Sequence, residues 1–183
     1  GHDPLFAPFP YEDSDIFQRW LLNGYELIQS RDSFVYHLTC RGHRWTGEVG
    51  KDDDYFKAAS YKAGRNYLRK WGSWVKNDDY QHPAIVPKYG IGISVKNCTA
   101  QLLQLLEPWC DTIYIDEGNT PALLKNYIEK EQPNTAIDLN ARVKPFEAER
   151  VNEILVNING NNFQQSDFEL LQQLPQIIKD NGE

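Results

Sequence analysis

The chain has 183 residues, of which 40% are hydrophobic and 25% charged, and its formal net charge is −7. This length is enough for one domain or two small ones, and the composition excludes a globally disordered chain. The acidic balance disfavours nucleic-acid binding through a basic surface, and no apolar run approaches the roughly 20 residues of a membrane span.

The cysteines Cys40, Cys98 and Cys110 are odd in number and widely spaced. No Cys-x-x-Cys pair is present, so the sequence carries neither a zinc ribbon nor a thioredoxin-like motif. A disulfide framework is therefore not expected, and a reducing cytoplasm is the predicted compartment. The chain contains no methionine and begins with glycine, which is typical of a processed product or a piece of a longer protein.

The composition changes near residue 80. Residues 1–80 contain most of the tryptophans and tyrosines, whereas residues 81–183 are rich in Ile, Leu, Val, Asn and Gln. We therefore predict two domains with this boundary, an aromatic-rich segment at 1–80 and a small α/β domain at 81–183.

The first domain opens with three prolines in seven residues, which favour an extended loop. The apolar residues of 16–22 share one helical face, with Asp15 as the expected N-cap and Asn23-Gly24 as the stop. Trp20 lies on this apolar stripe, so we expect it in the core. Further elements predicted here are short strands at 25–28 and 33–38 and a long amphipathic helix at 55–74.

The second domain alternates between strand and helix patterns. Such alternation indicates a mainly parallel sheet with right-handed crossovers. Ser166 and Glu169 match a capping box, and Pro175 is expected to kink or split the last helix. The predicted strands are 89–95, 112–116, 135–139 and 153–158, and the predicted helices are 99–109, 121–131 and 166–180.

The residues that carry chemistry lie between positions 10 and 45. Glu12 and Asp13 stand where the proline-rich loop enters the first helix, and His37 ends a predicted strand. A carboxylate at the positive end of a helix can accept a proton from a substrate hydroxyl. A strand-end histidine near carboxylates can bind a divalent metal or a phosphate. Spacing alone leaves structural roles open, because acidic residues before a helix are often caps and such a histidine is often a hydrogen-bonded, half-buried residue.

Residues 9–27, with Glu12-Asp13, Arg19 and Gly24-Tyr25 in order, resemble the acceptor-side segment of family 2 glycosyltransferases, which have the GT-A fold. Residues 33–37, a strand pattern that ends in histidine, continue the resemblance, and the pattern is especially similar to phage-type members. The resemblance implies an α/β fold class. It implies the acceptor-side portion of a GT-A-like glycosyltransferase fold, followed by a small, mainly parallel-sheet α/β domain.

The resemblance also implies an activity, an inverting transfer of a sugar from a nucleotide-sugar donor to a carbohydrate or other hydroxyl acceptor. Asp13 would be the general base, and Glu12 would orient the acceptor by hydrogen bonding. His37 would coordinate Mn²⁺ or Mg²⁺ or contact the diphosphate. The remaining implied substrate-binding residues are Arg41, His43 and Arg44, which would neutralise the leaving nucleotide diphosphate, and Trp45, which could stack on a sugar.

One part of the family pattern is missing. In this family a nucleotide-binding half with a strand-terminal Asp-x-Asp comes first, and neither Asp-x-Asp match here, at 13–15 or 52–54, follows an apolar strand. We therefore expect a partial chain that lacks the donor-binding half. Residues 89–119 faintly resemble the opening of that half, so a degenerate nucleotide site at Asp116 is an alternative to an ordinary βαβ unit.

Two rival functions stay open at this point. One is a non-catalytic carbohydrate- or protein-binding module, in which the carboxylates only cap a helix. The other is a receiver-like or nucleotide-binding regulatory role for the α/β domain, which would then dominate the function.

Overall fold

Two compact units make up the structure, a computed structural model that describes residues 1–28, 30–36, 45, 50–80, 82–116 and 120–181. The first unit comprises Gly1–Arg65 and Val75–Ile85, and the second comprises Asn66–Trp74 and Val86–Glu183. The division falls inside one long helix, so the units interleave along the chain. The predicted domains at 1–80 and 81–183 stay a prediction.

The first unit is built mainly from helices. Helix α1, at Glu12–Leu22, ends as predicted, with Asn23 as its C-cap and Gly24 in the left-handed region at a φ of 79°. Helix α2 begins where Asp53 Oδ1 accepts a hydrogen bond from the Phe56 N–H at 2.6 Å. The elements in chain order are a 3-10 turn at Pro4–Phe6, α1 at Glu12–Leu22, α2 at Asp54–Trp71, β1 at Lys76–Asn77 and β2 at Pro83–Ala84.

The two strands predicted after α1 are not observed. Residues 25–28 form no strand, and neither do residues 33–36, the described part of the second prediction. Their side chains are largely exposed, with Ile28 at 81% and Val35 at 89%. An alternating apolar pattern forms a strand only where a partner strand and a covering layer exist, and the described residues supply neither here.

The second unit contains a four-stranded sheet, whose strands follow the order Val143–Pro145 (β5), Thr112–Ile115 (β4), Ile91–Lys96 (β3) and Ile154–Asn159 (β6). Its three strand pairs are all parallel, with Ile93 of the central strand opposite Ile113 on one side and Val156 on the other. The prediction of a mainly parallel α/β sheet is therefore confirmed. The strands are β3 at Ile91–Lys96, β4 at Thr112–Ile115, β5 at Val143–Pro145 and β6 at Ile154–Asn159.

Helices cover one face of this sheet and form the core with it. Ile93, Val95, Leu103, Leu106 and Ile113 are all completely buried. The helical segments are α3 at Ala100–Leu106 with a 3-10 turn at Glu107–Trp109, α4 at Thr120–Glu131 with a 3-10 turn at Gln132–Asn134, α5 at Leu139–Arg142, and α6 at Gln165–Asn181.

One predicted strand of the second unit is wrong, and of the two outcomes predicted for Pro175 the split is not observed, whereas a kink stays a prediction. Residues 135–139 form no strand, because the side chain of Gln132 holds this segment as a turn, donating to the Thr135 and Ile137 carbonyls. Helix α6 is not split at Pro175 but continues through it to Asn181. Pro175 is buried in the unit, so packing of its apolar ring offsets the hydrogen bond that a proline cannot donate.

Candidate functional site

Helix α1 begins at a strained junction. Its N-cap, Tyr11, has a φ of 82° and a ψ of −3° and makes no side-chain cap hydrogen bond. Bulky residues rarely adopt this left-handed conformation, and such strain costs on the order of 1–3 kcal/mol and clusters at functional sites. Burial also raises the pKa of the Tyr11 hydroxyl. The strained residue directly precedes Glu12 and Asp13, which singles out this junction.

Asp13 presents its carboxylate to solvent in the first turn of α1. Its Oδ1 accepts a hydrogen bond from the Ser14 N–H at 2.7 Å, which fixes one oxygen of the carboxylate. The amino end of a helix favours negative charge at this position. A carboxylate placed in this way can accept a proton from a hydroxyl that approaches along the helix end.

Asp15 has a structural role, but it is not the predicted N-cap. The helix begins at Glu12, so Asp15 lies inside the first turn, where it is completely buried. Its Oδ2 accepts a hydrogen bond from Arg19 Nε at 2.8 Å, one helical turn further on. Residues two apart on a helix do not face each other. Asp13 and Asp15 therefore cannot hold one metal ion together, although they match Asp-x-Asp.

The second Asp-x-Asp match, residues 52–54, lies at the start of α2, as the sequence indicates. Asp53 caps the helix, and Asp54 Oδ1 accepts from Lys57 Nζ at 3.2 Å. Asp52 Oδ1 accepts a hydrogen bond from the indole N–H of Trp45 at 3.3 Å. Trp45 is half-buried in this contact. Its proposed stacking on a sugar stays a prediction.

A short hairpin, which contains β1 and β2, is organised by Asp78. Its Oδ1 accepts hydrogen bonds from the N–H groups of Tyr80 at 2.9 Å and His82 at 2.8 Å, as in an Asx turn. These backbone hydrogen bonds, that of His82 above all, lower the pKa of Asp78. Strands β1 and β2 pair on either side of the turn, with Lys76 opposite Ala84. Asp78 therefore positions both Tyr80 and His82.

Helix α1 and this hairpin border the same groove, which has a volume of about 900 Å³. Both walls belong to the first unit. Trp20, expected in the core, is 41% exposed and lines the groove. The groove is lined by Asp13, Ser14, Phe17, Gln18 and Trp20 of α1, by Tyr25, Glu26, Leu27 and Ile28, and by Val75, Asn77, Tyr80, His82 and Pro83.

Of the predicted site residues, Asp13 lines the groove, whereas Glu12 and Trp45 are not among its lining residues. Glu12 Oε2 is buried, and within the described ranges it has no hydrogen-bond partner. Buried polar atoms are usually paired, so this oxygen calls for an explanation. The four other predicted site residues, His37, Arg41, His43 and Arg44, lie outside the described residues.

The hairpin side chains that line the groove, Tyr80 and His82, are not among the predicted site residues. The change of composition at residues 77–83 predicts a domain boundary there and no part of a site. The available signal was Asp78 followed by Tyr80 and His82, a turn-forming carboxylate beside aromatic side chains. That signal predicts a turn, but it does not predict which helix the turn lies beside.

A metal site is not apparent in the part of the chain that the structure describes. No three His, Cys, Asp or Glu side chains there are grouped so that they could hold a metal ion. The described residues thus do not supply a donor set for Mn²⁺ or Mg²⁺. The predicted ligand, His37, is outside that part of the chain.

The carboxyl edge of the sheet in the second unit is occupied by its own side chains. Asp116 accepts hydrogen bonds from the Asn97 N–H at 2.6 Å and the Cys98 N–H at 3.3 Å. Asn97 Nδ2 donates to Asn159 Oδ1 at 3.0 Å, which links the loop after β3 to the last residue of β6. The carboxyl ends of these two strands flank the position where a sheet of this strand order binds ligands. The contacts favour an ordinary βαβ unit over a nucleotide site at Asp116.

Comparison of the chain with protein-family models gave no match, and comparisons with curated proteins and with solved structures gave no significant match either. Within the described residues, no helix combines the length and the apolar character that crossing a bilayer requires.

Proposed function

We propose that this chain is the acceptor-side part of a family 2-like, inverting glycosyltransferase with a GT-A-like fold. It transfers a sugar from a nucleotide-sugar donor to an acceptor hydroxyl. The observation that carries the proposal is the position of Asp13, an exposed carboxylate at a helix start on the wall of a groove of about 900 Å³. A general base must reach the proton that it removes, and this groove gives a hydroxyl ligand access to Asp13.

The chemistry proposed for Asp13 is a single displacement. The acceptor oxygen attacks the anomeric carbon of the donor while its proton passes to the Asp13 carboxylate. The bond from that carbon to the diphosphate oxygen breaks, and its electron pair leaves with the nucleotide diphosphate. Attack from the face opposite the leaving group inverts the configuration. By resemblance, Glu12 orients the acceptor, and Arg41, His43 and Arg44 neutralise the diphosphate.

The divalent metal of the proposal is assigned to His37 by resemblance alone. Donor binding is likewise assigned to residues other than the carboxyl edge of the second unit, because Asp116 is engaged with the backbone there. The proposed compartment is the cytoplasm, where thiols such as those of Cys98 and Cys110, which are free, stay reduced.

A non-catalytic carbohydrate-binding module is the second candidate. It is favoured by the exposed aromatic side chains of the groove, Trp20 at 41%, Tyr25 at 65% and Tyr80 at 79%. Such rings bind sugars without any need for a base. The two candidates differ in the effect expected of Asp13→Asn. The substitution removes the base that a glycosyltransferase needs, whereas a binding module would keep its affinity for sugar.

The test compares sugar transfer by variants of the longest natural protein that contains this chain. Asp13→Asn should abolish transfer and leave the fold intact, and His37→Ala should do the same. Asp54→Asn is the matched control, since Asp54 is also an exposed carboxylate in the first turn of a helix but does not line the groove. Transfer that persists in both Asp13→Asn and His37→Ala would refute the proposed roles.

A further inference from the structure

The groove of the first unit has a second wall, which the hairpin forms. Tyr80 and His82 of the hairpin line the groove, as do Asp13 and Trp20 of α1. The centroids of the Tyr80 and His82 rings lie 6.2 Å apart, and the two ring planes make an angle of 31°. The two rings are therefore neighbours that are tilted relative to one another, rather than two unrelated exposed side chains.

This wall is held in a defined geometry before any ligand arrives. Asp78 accepts from both the Tyr80 and the His82 N–H groups, and its own N–H donates to the His82 carbonyl at 2.9 Å. The second carboxylate oxygen of Asp78 lies 3.2 Å from His82 Nδ1, which orients the imidazole. The other ring nitrogen, Nε2, is on the opposite edge of the ring. A preorganised surface loses less entropy on binding than a mobile one.

The charged groups of the groove, among the residues that the structure describes, are mainly acidic. The described lining includes two carboxylates, Asp13 and Glu26, and neither lysine nor arginine. Phosphate and diphosphate groups are recognised by arginine, lysine or backbone N–H groups, so these carboxylates disfavour them. This part of the groove thus suits a neutral acceptor better than a nucleotide diphosphate.

The polar and aromatic side chains that line the groove fit a neutral ligand that carries both hydroxyl groups and apolar faces. Carboxylates and the amides of Gln18 and Asn77 can bond hydroxyls, while the rings of Trp20, Tyr25 and Tyr80 offer flat apolar surfaces. A pyranose ring has both features, with hydroxyls at its edge and C–H groups on its faces. A volume of about 900 Å³ lies near the top of the roughly 300–1,000 Å³ of small-ligand sites, which leaves room for more than one ring.

We propose that the hairpin wall, formed by Tyr80 and His82, recognises a neutral saccharide acceptor of at least two rings. The inference rests on the proposed function, because it takes Asp13 as the base at one end of the groove. Tyr80 and His82 then act as specificity-determining residues. They bind the part of the acceptor that extends beyond the reacting ring.

Binding is tested first, with an array of neutral oligosaccharides and the unaltered chain, followed by titration of the best ligand. Tyr80→Ala should weaken binding by at least about tenfold, which corresponds to roughly 1.4 kcal/mol. Tyr80→Phe should keep most of the affinity, because the ring face remains. Tyr36→Ala is the matched control, since Tyr36 is 87% exposed and lies outside the groove. Circular dichroism spectra identify any variant that fails to fold.

Transfer assays separate this inference from the proposed function. Tyr80→Ala and His82→Ala should raise the KM for a trisaccharide acceptor and leave the kcat nearly unchanged, with a smaller effect on a monosaccharide acceptor. If no oligosaccharide binds, or if Tyr80→Ala binds as tightly as the unaltered chain, the saccharide inference is wrong even if Asp13 is the base. If the saccharide binds and Asp13→Asn still transfers sugar, the proposed role of Asp13 is wrong. Saccharide recognition by the hairpin wall is then still supported.

Discussion

Arg69 and Glu107 form a salt bridge in which both side chains are completely excluded from solvent, with 2.7 Å between Arg69 Nη2 and Glu107 Oε2. Arg142 Nε and the Tyr127 hydroxyl also donate to this carboxylate, at 2.8 Å and 2.9 Å. Arg69 pairs with Glu131 as well, at 2.9 Å. The network ties α2, the turn after α3, α4 and α5 together. Because buried charges are tolerated only when fully paired, the second unit depends on it.

Glu107→Gln should destabilise the second unit by about 3–5 kcal/mol, because the buried guanidinium group of Arg142 loses its counter-charge and that of Arg69 keeps only Glu131. Amide hydrogen exchange in β3 and β4 measures this loss for the second unit alone. Glu129→Gln is the matched control, because Glu129 pairs with Lys125 only at the surface and should change stability by no more than about 0.5 kcal/mol. Equal effects of the two substitutions would contradict the prediction.

The same network predicts how stability depends on pH. Burial by itself would raise the pKa of Glu107, but Arg69 and Arg142 outweigh it and lower the pKa from 4.5 to about 2. The folded pKa lies below the unfolded one, so this stabilisation is fully present above pH 4.5 and is lost as the pH falls toward about 2. Linkage gives a loss of roughly 3 kcal/mol across that window.

Unfolding free energies of the unaltered chain and of Glu107→Gln, measured from about pH 7 to about pH 2.5, check this prediction. The unaltered chain should lose stability more steeply below pH 4.5. Parallel curves for the two proteins would show that Glu107 does not titrate in this window.

Strands β3 and β4 of the second unit could be predicted because the signal, a run of apolar residues, lies within each strand. β3 is bordered by strands on both sides, and its residues 91–95 are all buried, so its sequence is a nearly continuous apolar run. The prediction of 89–95 matches the observed Ile91–Lys96 closely. β4 was found for the same reason. β5 was missed, because three residues ending in Pro145 carry no periodic signal.

The strand predicted at 135–139 is not observed, for a different physical reason. Ile137 and Leu139 alternate with polar residues, as in a half-buried strand. Gln132 overrides that pattern, because its Oε1 accepts from the Leu139 N–H at 2.9 Å while its Nε2 donates to the Ile137 carbonyl at 2.9 Å. A contact between a side chain and a backbone seven residues away is not visible in hydrophobic periodicity.

The candidate site was predictable only in part. The acidic start of α1 is a local feature, so Glu12 and Asp13 could be singled out directly. The hairpin wall could not, because Tyr80 and His82 are distant from α1 in the sequence and line its groove only through the folding of the first unit. Which side chains border one cavity is a property of tertiary packing.

Gly160, which follows β6, lies close to the backbone of Asn97, which follows β3. A Cβ at this position would clash with the Asn97 carbonyl oxygen and would also meet Leu102 Cδ2 at 3.0 Å. Gly160→Ala should therefore destabilise the second unit by about 1–3 kcal/mol. In the control, Gly90→Ala, the new methyl group meets only the flexible side chain of Glu153, at 3.2 Å. Thermal unfolding should show the larger decrease for Gly160→Ala, and a larger decrease for Gly90→Ala would contradict this account.

The Asp116 carboxylate accepts hydrogen bonds from backbone N–H groups that a nucleotide phosphate would need. The N–H groups that follow the central strand of such a sheet are where α/β folds hold phosphates. In this chain the N–H groups of Asn97 and Cys98 already donate to the Asp116 carboxylate. A diphosphate would have to displace a carboxylate that is covalently tethered at the site. We therefore expect no thermal shift when UDP and Mn²⁺ are added to this chain.

The variant Asp116→Ala makes this expectation falsifiable. It should lower the unfolding free energy by about 1–3 kcal/mol, because two backbone donors lose their acceptor. A rise in Tm with UDP that occurs only in this variant would support the argument, since an anion would then replace the missing carboxylate. A rise that depends on UDP concentration in the unaltered chain and disappears in Asp116→Ala would overturn it. Asp116 would then belong to a nucleotide site, and the second unit would supply the donor-binding function that the proposal assigns elsewhere.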